Sequence, residues 1–385
     1  MIYFDNAATS WPKPPEVFES MLEFMQELGG NPGRSGHRMA TGAEAMVNEC
    51  RNAVSKFFGL GDPARCVFTL NCTDALNMAI KGVVRQDDHV ITTALEHNSI
   101  SRPLQQMAED GFIVLTRVVP EAEQGAWTVD EIVREVRPNT RLVALTHCAN
   151  VTGVINPIED LAKALRAANP KTLLLVDAAQ SAGVVPIQMD AAGIDILAFP
   201  GHKALYAPTG TGALLLAGRV NTDDFLCWRE GGTGGDSTSP LQPLELPHRL
   251  EGGTPNTMGI AGLLAGIRYL NKQKPGAVLE HERAIVKKLI DALSGDDRFK
   301  IYGTTDLARK VGALSITVKD RDNADMASIL DQAFGIAVRP GLHCAPYMHK
   351  HLGTFPTGTL RLAPGFFNTL DETDQVIAAL KEIAA

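Results

Sequence analysis

The chain has 385 residues, 45% hydrophobic and 21% charged, with a formal net charge of −8. That length predicts about two domains of roughly 100–200 residues each. The acidic balance, with no long basic run, argues against nucleic acid as a partner, and no apolar run of about 18 residues exists to span a membrane. The N-terminal "MIYFDNAATSWPKP" carries neither a charged n-region nor an apolar h-region, so no signal peptide is read there. Six cysteines (Cys50, Cys66, Cys72, Cys148, Cys227 and Cys344) stand singly with no CxxC pair. Reduced thiols and a cytoplasmic location are expected from that usage.

Taken in chain order, the first informative run is "CVFTLNCTDALNMAI", 66–80. A strand is predicted at 66–70 and an amphipathic helix at 73–84. The free N–H groups where that helix begins could hold a phosphate; plain capping by Asn71 or Thr73 explains the run as well. GxxxxGK[ST] is absent, which disfavours a nucleoside triphosphate. A strand at 89–93 leads into "TALEHNSI", where His97 follows the strand end. Its ring could lie on an aromatic cofactor or be a satisfied structural group.

Further strands are predicted at 112–118 and 141–147, with a helix at 158–169. "TLLLVDAAQSAG" then places Asp177 at the end of a fully apolar strand, with Gln180 three residues on. A charge there needs a partner. A cationic ring nitrogen would provide one; capping of the following segment is the competing reading. The next strand, 195–199, delivers His202 and Lys203 into "PGHKALYAPTGTG". Ligands gather at such strand ends in open α/β sheets. A desolvated lysine there could form a Schiff base, although most lysines are solvated surface groups. A strand at 212–217 follows, and "GGTGGDSTSPLQP" (231–243) reads as a long loop.

After "EGGTPNTMG" the texture changes to helices at 257–273 and 276–294, strands at 299–303 and 312–318, a helix at 323–333, a strand near 335–339 and a terminal helix at 370–384. The expected fold is therefore α/β: a large domain with a mostly parallel sheet between helices, plus a smaller α+β C-terminal domain. The expected division is 15–255 for the large domain and 256–385, with 1–14, for the small one. Within the latter, "RPGLHCAPYMHKHLG" (339–353) sets Cys344 beside His343, His349 and His351. No second cysteine is near, so a four-ligand zinc site is disfavoured and no metal is expected. His349 and His351 read as incidental residues of a loop.

The ordered motifs "YFDNAAT", "EHN", "HCANVTG", "VDAAQ", "GHK", "EGGTPNT", "RPGLHCA" and "LRLAPGFFN" span nearly the whole chain. Together they resemble the class V, fold-type I pyridoxal-phosphate enzymes, specifically the cysteine desulfurase and selenocysteine lyase group. The resemblance implies pyridoxal 5′-phosphate carried on Lys203, paired with Asp177 through its ring nitrogen, bonded by Gln180 and stacked on by His97. Cys72, Thr73 and His202 would hold the phosphate, joined by Thr254 of a partner subunit, which implies a homodimer. Arg361 and Asn150 would bind the substrate carboxylate, with Arg339 and Arg34 also in the site region. Lys203 would be the base, and Cys344 the nucleophile that holds sulfur as a persulfide for an acceptor protein. The substrate would be L-cysteine or L-selenocysteine. Other readings on the same scaffold are an aminotransferase or epimerase in which Cys344 is dispensable, and a persulfide-relay scaffold without catalysis. Two departures from the family pattern stand out. Pro200 occupies a place where many relatives have a hydroxyl residue, and Cys72 stands where many have Thr.

Overall fold

Seven of the apolar runs form one sheet in a computed structural model that describes residues 1–33, 35–122, 125–233 and 238–385. From one edge to the other the strands are Cys66–Thr69, Gly212–Leu216, Ile196–Pro200, Leu173–Asp177, Thr140–Thr146, His89–Thr93 and Val114–Val118. The last five are mutually parallel. Gly212–Leu216 runs against both its neighbours, so Cys66–Thr69 again points the same way as the five. Six strands thus end along one rim, and that rim carries the site.

These strands read as continuous apolar runs because helices cover both faces of the sheet. Alternate residues of one strand enter different cores. Val143 and Leu145 pack with Ile91, Val176 and Phe199 on one side. Leu142 and Ala144 pack with Val90, Leu175 and Ala198 on the other. Only the edge strand Val114–Val118 is largely accessible.

A second, antiparallel sheet is built in the order Arg339–Gly341, Thr359–Leu362, Leu314–Val318, Phe299–Tyr302. The helices Ala277–Leu293, Asn323–Phe334 and Leu370–Ile383 pack on it around Leu314, Ile316, Leu360 and Leu362. The N-terminus belongs to this unit physically. Ile2–Tyr3 pairs parallel with Ile336–Ala337, and Phe4 is fully buried in the same core. The helix Thr257–Asn271 packs instead on Pro15–Glu23 and Arg38–Phe58 of the larger unit, adding Ile260, Leu263 and Ile267 to its core. No helix among the described residues is long and apolar enough to cross a membrane.

Glu282, on Ala277–Leu293, is buried where the two units meet and accepts one hydrogen bond, from Gly312 N–H at 3.0 Å. Burial pushes its carboxyl up to about 8. The folded protein therefore keeps a proton that an unfolded glutamate releases above about pH 4.3. By linkage, the wild type should lose stability relative to Glu282→Gln as pH rises from there to about 8, and the gap should then level off. Thermal midpoints of both proteins between pH 5 and 9 measure this; parallel curves would contradict it.

Candidate active site

The rim of strand ends encloses a cleft of about 770 Å³. Asp177 closes the strand Leu173–Asp177 at its floor and is only 3% exposed. The two hydrogen bonds its carboxylate accepts among the described residues both fall on Oδ1, from Ala179 N–H at 2.8 Å and from the Cys72 thiol at 3.4 Å. Burial, and then the Asp177 carboxylate, hold the Cys72 thiol well above its ordinary range, so it stays a neutral donor.

Lys203 sits on the turn that follows Ile196–Pro200, in the cleft wall. Close backbone approach fixes this turn from two sides. A Cβ on Gly183, which has φ +86°, would stand 2.4 Å from the Ala204 carbonyl oxygen, and one on Gly266 would stand 2.0 Å from that of Leu205. Ser10 Oγ donates to the Lys203 carbonyl at 2.8 Å and closes the third side. Burial holds the Lys203 amine below the usual lysine value, while Asp177 pulls it partly back. Next to it, His202 has a buried Nδ1 with no protein partner, and burial lowers its ring to about 4.

Asn71 caps the helix Cys72–Val83, accepting from Asp74 N–H at 2.9 Å. The N–H groups of its first turn, Cys72 and Thr73 among them, have no carbonyl within the helix to reach. Thr73 Oγ1 and Ser99 Oγ lie 2.7 Å apart. His97 caps the helix Asn98–Glu109, its Nδ1 accepting from Ser99 N–H at 3.1 Å. Nδ1 is then unprotonated, so the neutral ring carries its proton on Nε2. Burial favours that neutral form by lowering the ring's pKa. Gln180 spends its amide N–H on the Ala7 carbonyl at 3.0 Å and still lines the cleft.

The small unit contributes the opposite wall. Arg339 and Arg361 are directly opposed across their two strands. Like charges so placed repel. Arg361, 1% exposed, is compensated by Asp5 at 2.8 Å and by the Asn150 carbonyl at 3.0 Å, and its Nε has no partner. Arg339 Nη2 lies 3.8 Å from Cys344 Sγ. Two guanidinium groups facing one cleft, with an ion pair only to Arg361 among the described residues, suit an anionic ligand. Asn150 gives its side-chain amide to the His343 carbonyl at 2.7 Å.

The structure thus gathers Lys203, Asp177, Gln180, His97, His202, Cys72, Thr73, Asn150, Arg339 and Arg361 around one cleft, with Cys344 on the turn beside it. Thr254 is not there: in one chain it lines a separate cavity with Arg229, Gly253 and Asn256. Arg34 falls outside the described residues. Asp5 and Ser99 are functional neighbours that sequence reasoning passed over. Both lie inside runs already singled out, "YFDNAAT" and "TALEHNSI". A buried arginine such as Arg361 needs a carboxylate, but nothing local says which.

Comparison with known proteins places the chain in a family. The family model Aminotransferase class-V matches residues 2–376. A relative named "Probable cysteine desulfurase" from Methanothermobacter thermautotrophicus is 34% identical over 386 residues, covering 100% of this chain and 94% of its own. The solved apo structure of a cysteine desulfurase from Thermococcus onnurineus NA1 superposes with a TM-score of 0.93 at 32% identity, covering 100% of this chain and 94% of that one. The cysteine desulfurase CsdA from Escherichia coli gives a TM-score of 0.87 at 27% identity, with 99% and 94% covered. This chain belongs to the class-V aminotransferase family, among the cysteine desulfurases.

Proposed function

We propose that the chain converts L-cysteine to L-alanine with pyridoxal 5′-phosphate, leaving the sulfur as a persulfide on Cys344. The observation that carries this reading is one cleft in which Lys203, Asp177 and the opposed arginines face a cysteine turn. The residues fit the cofactor. The Asp177 carboxylate keeps both its described hydrogen bonds on Oδ1, which leaves Oδ2 for a ring nitrogen. The unpartnered Nδ1 of His202 and the first-turn N–H groups of Cys72 and Thr73 suit a phosphate. His97 would cover the ring, and Gln180 would bond its hydroxyl through the side-chain oxygen. When bound, this group supplies an electron sink for the charge released at the substrate Cα.

The chain's own residues do the rest. Arg361 holds the substrate carboxylate, with Arg339 beside it. Burial makes neutral Lys203 available as the base that removes the Cα proton. The Cys344 thiolate attacks the substrate sulfur; a new S–S bond forms as the Cβ–S bond breaks, and the carbon skeleton takes up protons to leave as alanine. Cysteine plus thiol gives alanine plus persulfide, with no outside oxidant. A thiol acceptor, protein or small, then takes the terminal sulfur. Thr254, outside its own chain's cleft, would reach the phosphate held by a second copy, which makes the working form a homodimer. Residues 15–255 with the helix Thr257–Asn271 would hold the cofactor, and the remaining C-terminal part with 1–14 would carry the cysteine turn.

The test is direct. Purified protein with cofactor, L-cysteine and dithiothreitol should yield alanine and sulfide in equal amounts, and L-selenocysteine in parallel measures substrate preference. Absence of alanine from L-cysteine would overturn the reading. Transfer of the amino group without sulfide would favour an aminotransferase.

A further inference from the structure

Cys344 stands on a backbone turn that its residues do not favour. Ala345 N–H donates to the Leu342 carbonyl at 2.8 Å, and both central residues are left-handed, His343 at φ 48° and Cys344 at φ 58°. Such turns select Gly, Asn or Asp, and other residues persist there only when their surroundings hold them. Two clamps come from the large unit. Asn150 Nδ2 donates to the His343 carbonyl at 2.7 Å, and Asn98 N–H donates to the Cys344 carbonyl at 2.7 Å.

The third clamp is internal to the turn and its short following helix, Pro346–His351. His343 Nε2 lies 3.0 Å from the Arg339 carbonyl, His343 Nδ1 lies 3.4 Å from His349 Nε2, and His349 Nδ1 lies 2.8 Å from Thr354 Oγ1. One assignment of protons satisfies every contact in this series. A carbonyl only accepts, so His343 carries its proton on Nε2. In the neutral ring Nδ1 is then an acceptor, and His349 Nε2–H faces it, while the Leu342 backbone also bonds the His349 ring. His349 Nδ1 is left as an acceptor, and the Thr354 hydroxyl donates to it. Burial lowers His343 to about 3 and His349 to about 4, in keeping with two neutral rings. His349 is fully buried and touches neither cleft nor solvent.

We propose that His349, oriented by Thr354, is a positioning residue for the sulfur chemistry: through His343 it locks the left-handed turn that holds the Cys344 thiol within reach of the Arg339 guanidinium. The chain of bonds begins at the Arg339 carbonyl and ends at Thr354, just past the short helix, so it ties the residue that carries the guanidinium, the turn and the helix into one unit. Both ring nitrogens of His343 are occupied, so His343 serves this lock and is no free acid or base toward substrate. The inference rests on Cys344 being the working thiol, yet its test reads the thiol without substrate turnover.

The experiment is iodoacetamide labelling of the full-length protein as purified, with the rate at Cys344 followed by peptide mass spectrometry. His349→Gln can present an amide N–H where Nε2 stood and should label within about 2-fold of wild type. His349→Phe keeps the bulk and removes the donor; its labelling should fall about 5-fold or more, because a released turn no longer presents the thiol at its accessible place beside the Arg339 guanidinium. Thr354→Val serves if the Phe variant does not fold, and should shift the rate in the same direction by leaving His349 free to present the wrong tautomer. A general packing role would lower the melting temperature of all three variants without separating Gln from Phe. Equal rates in the Gln and Phe variants, or a rate in the Phe or Val variant as high as wild type, would overturn the proposal. These outcomes stand apart from alanine production, whose absence would instead remove the desulfurase reading.

Discussion

Lys203→Ala is expected to abolish both cofactor attachment and turnover. The amine is the group on this rim that can bind a carbonyl covalently, and the same amine is the proposed base. A positioned general base contributes about 10²–10⁴-fold by itself, so turnover should fall by about 10³-fold or more. The visible absorbance of the protein-bound cofactor should also disappear or shift after desalting. The fold should survive, because what holds this turn is its backbone: Gly183 and Gly266 pack against Ala204 and Leu205, and Ser10 bonds the residue-203 carbonyl. A melting temperature close to wild type would confirm that the loss is chemical. An unchanged spectrum would reject Lys203 as the attachment point.

Cys344→Ala should separate two functions that Lys203→Ala removes together. The groups proposed to hold the cofactor, Asp177, His202 and the helix start at Cys72, have their described hydrogen bonds elsewhere than on Cys344. The spectrum of the variant should therefore match wild type, and L-cysteine should still perturb it. Sulfide and alanine production should fall by about 10²-fold or more, because no other described thiol stands beside Arg339 on an accessible turn. Cys148 is fully buried and Cys72 is engaged with Asp177. Full sulfide release by Cys344→Ala would take the nucleophile role away from this residue while leaving the cofactor assignment intact.

Much of the architecture was legible because burial on both faces leaves a local signature. The strand His89–Thr93 lies where its apolar run predicts it, and Leu173–Asp177 is one residue from its predicted place. Other elements were readable and were passed over. The helix Arg38–Phe58 carries Ala40, Ala43, Val47, Cys50, Val54 and Phe58 on one buried face, a spacing of three and four. The strand Thr359–Leu362 hides better: its four residues are all buried, yet one is Arg361, and a charge in the middle does not read as core.

The order of motifs along the chain pointed to the family and to several of the rim residues, because Asp177, Lys203, Cys72 and His97 lie at or just after a strand end or at a helix start that local patterning sets. Only the tertiary structure decided how those residues meet. Asp5 and Arg361 are 356 positions apart and form one ion pair. Asn150, expected at the substrate carboxylate, gives its amide to the cysteine turn. Thr254 stands away from its own chain's cleft. His349, which in "HCAPYMHKHLG" looks like one of several incidental histidines, is fully buried in a bonded series behind Cys344. The physical reason is that strands and helices follow from the period of nearby residues, whereas which side chains meet depends on how the folded chain brings its elements together.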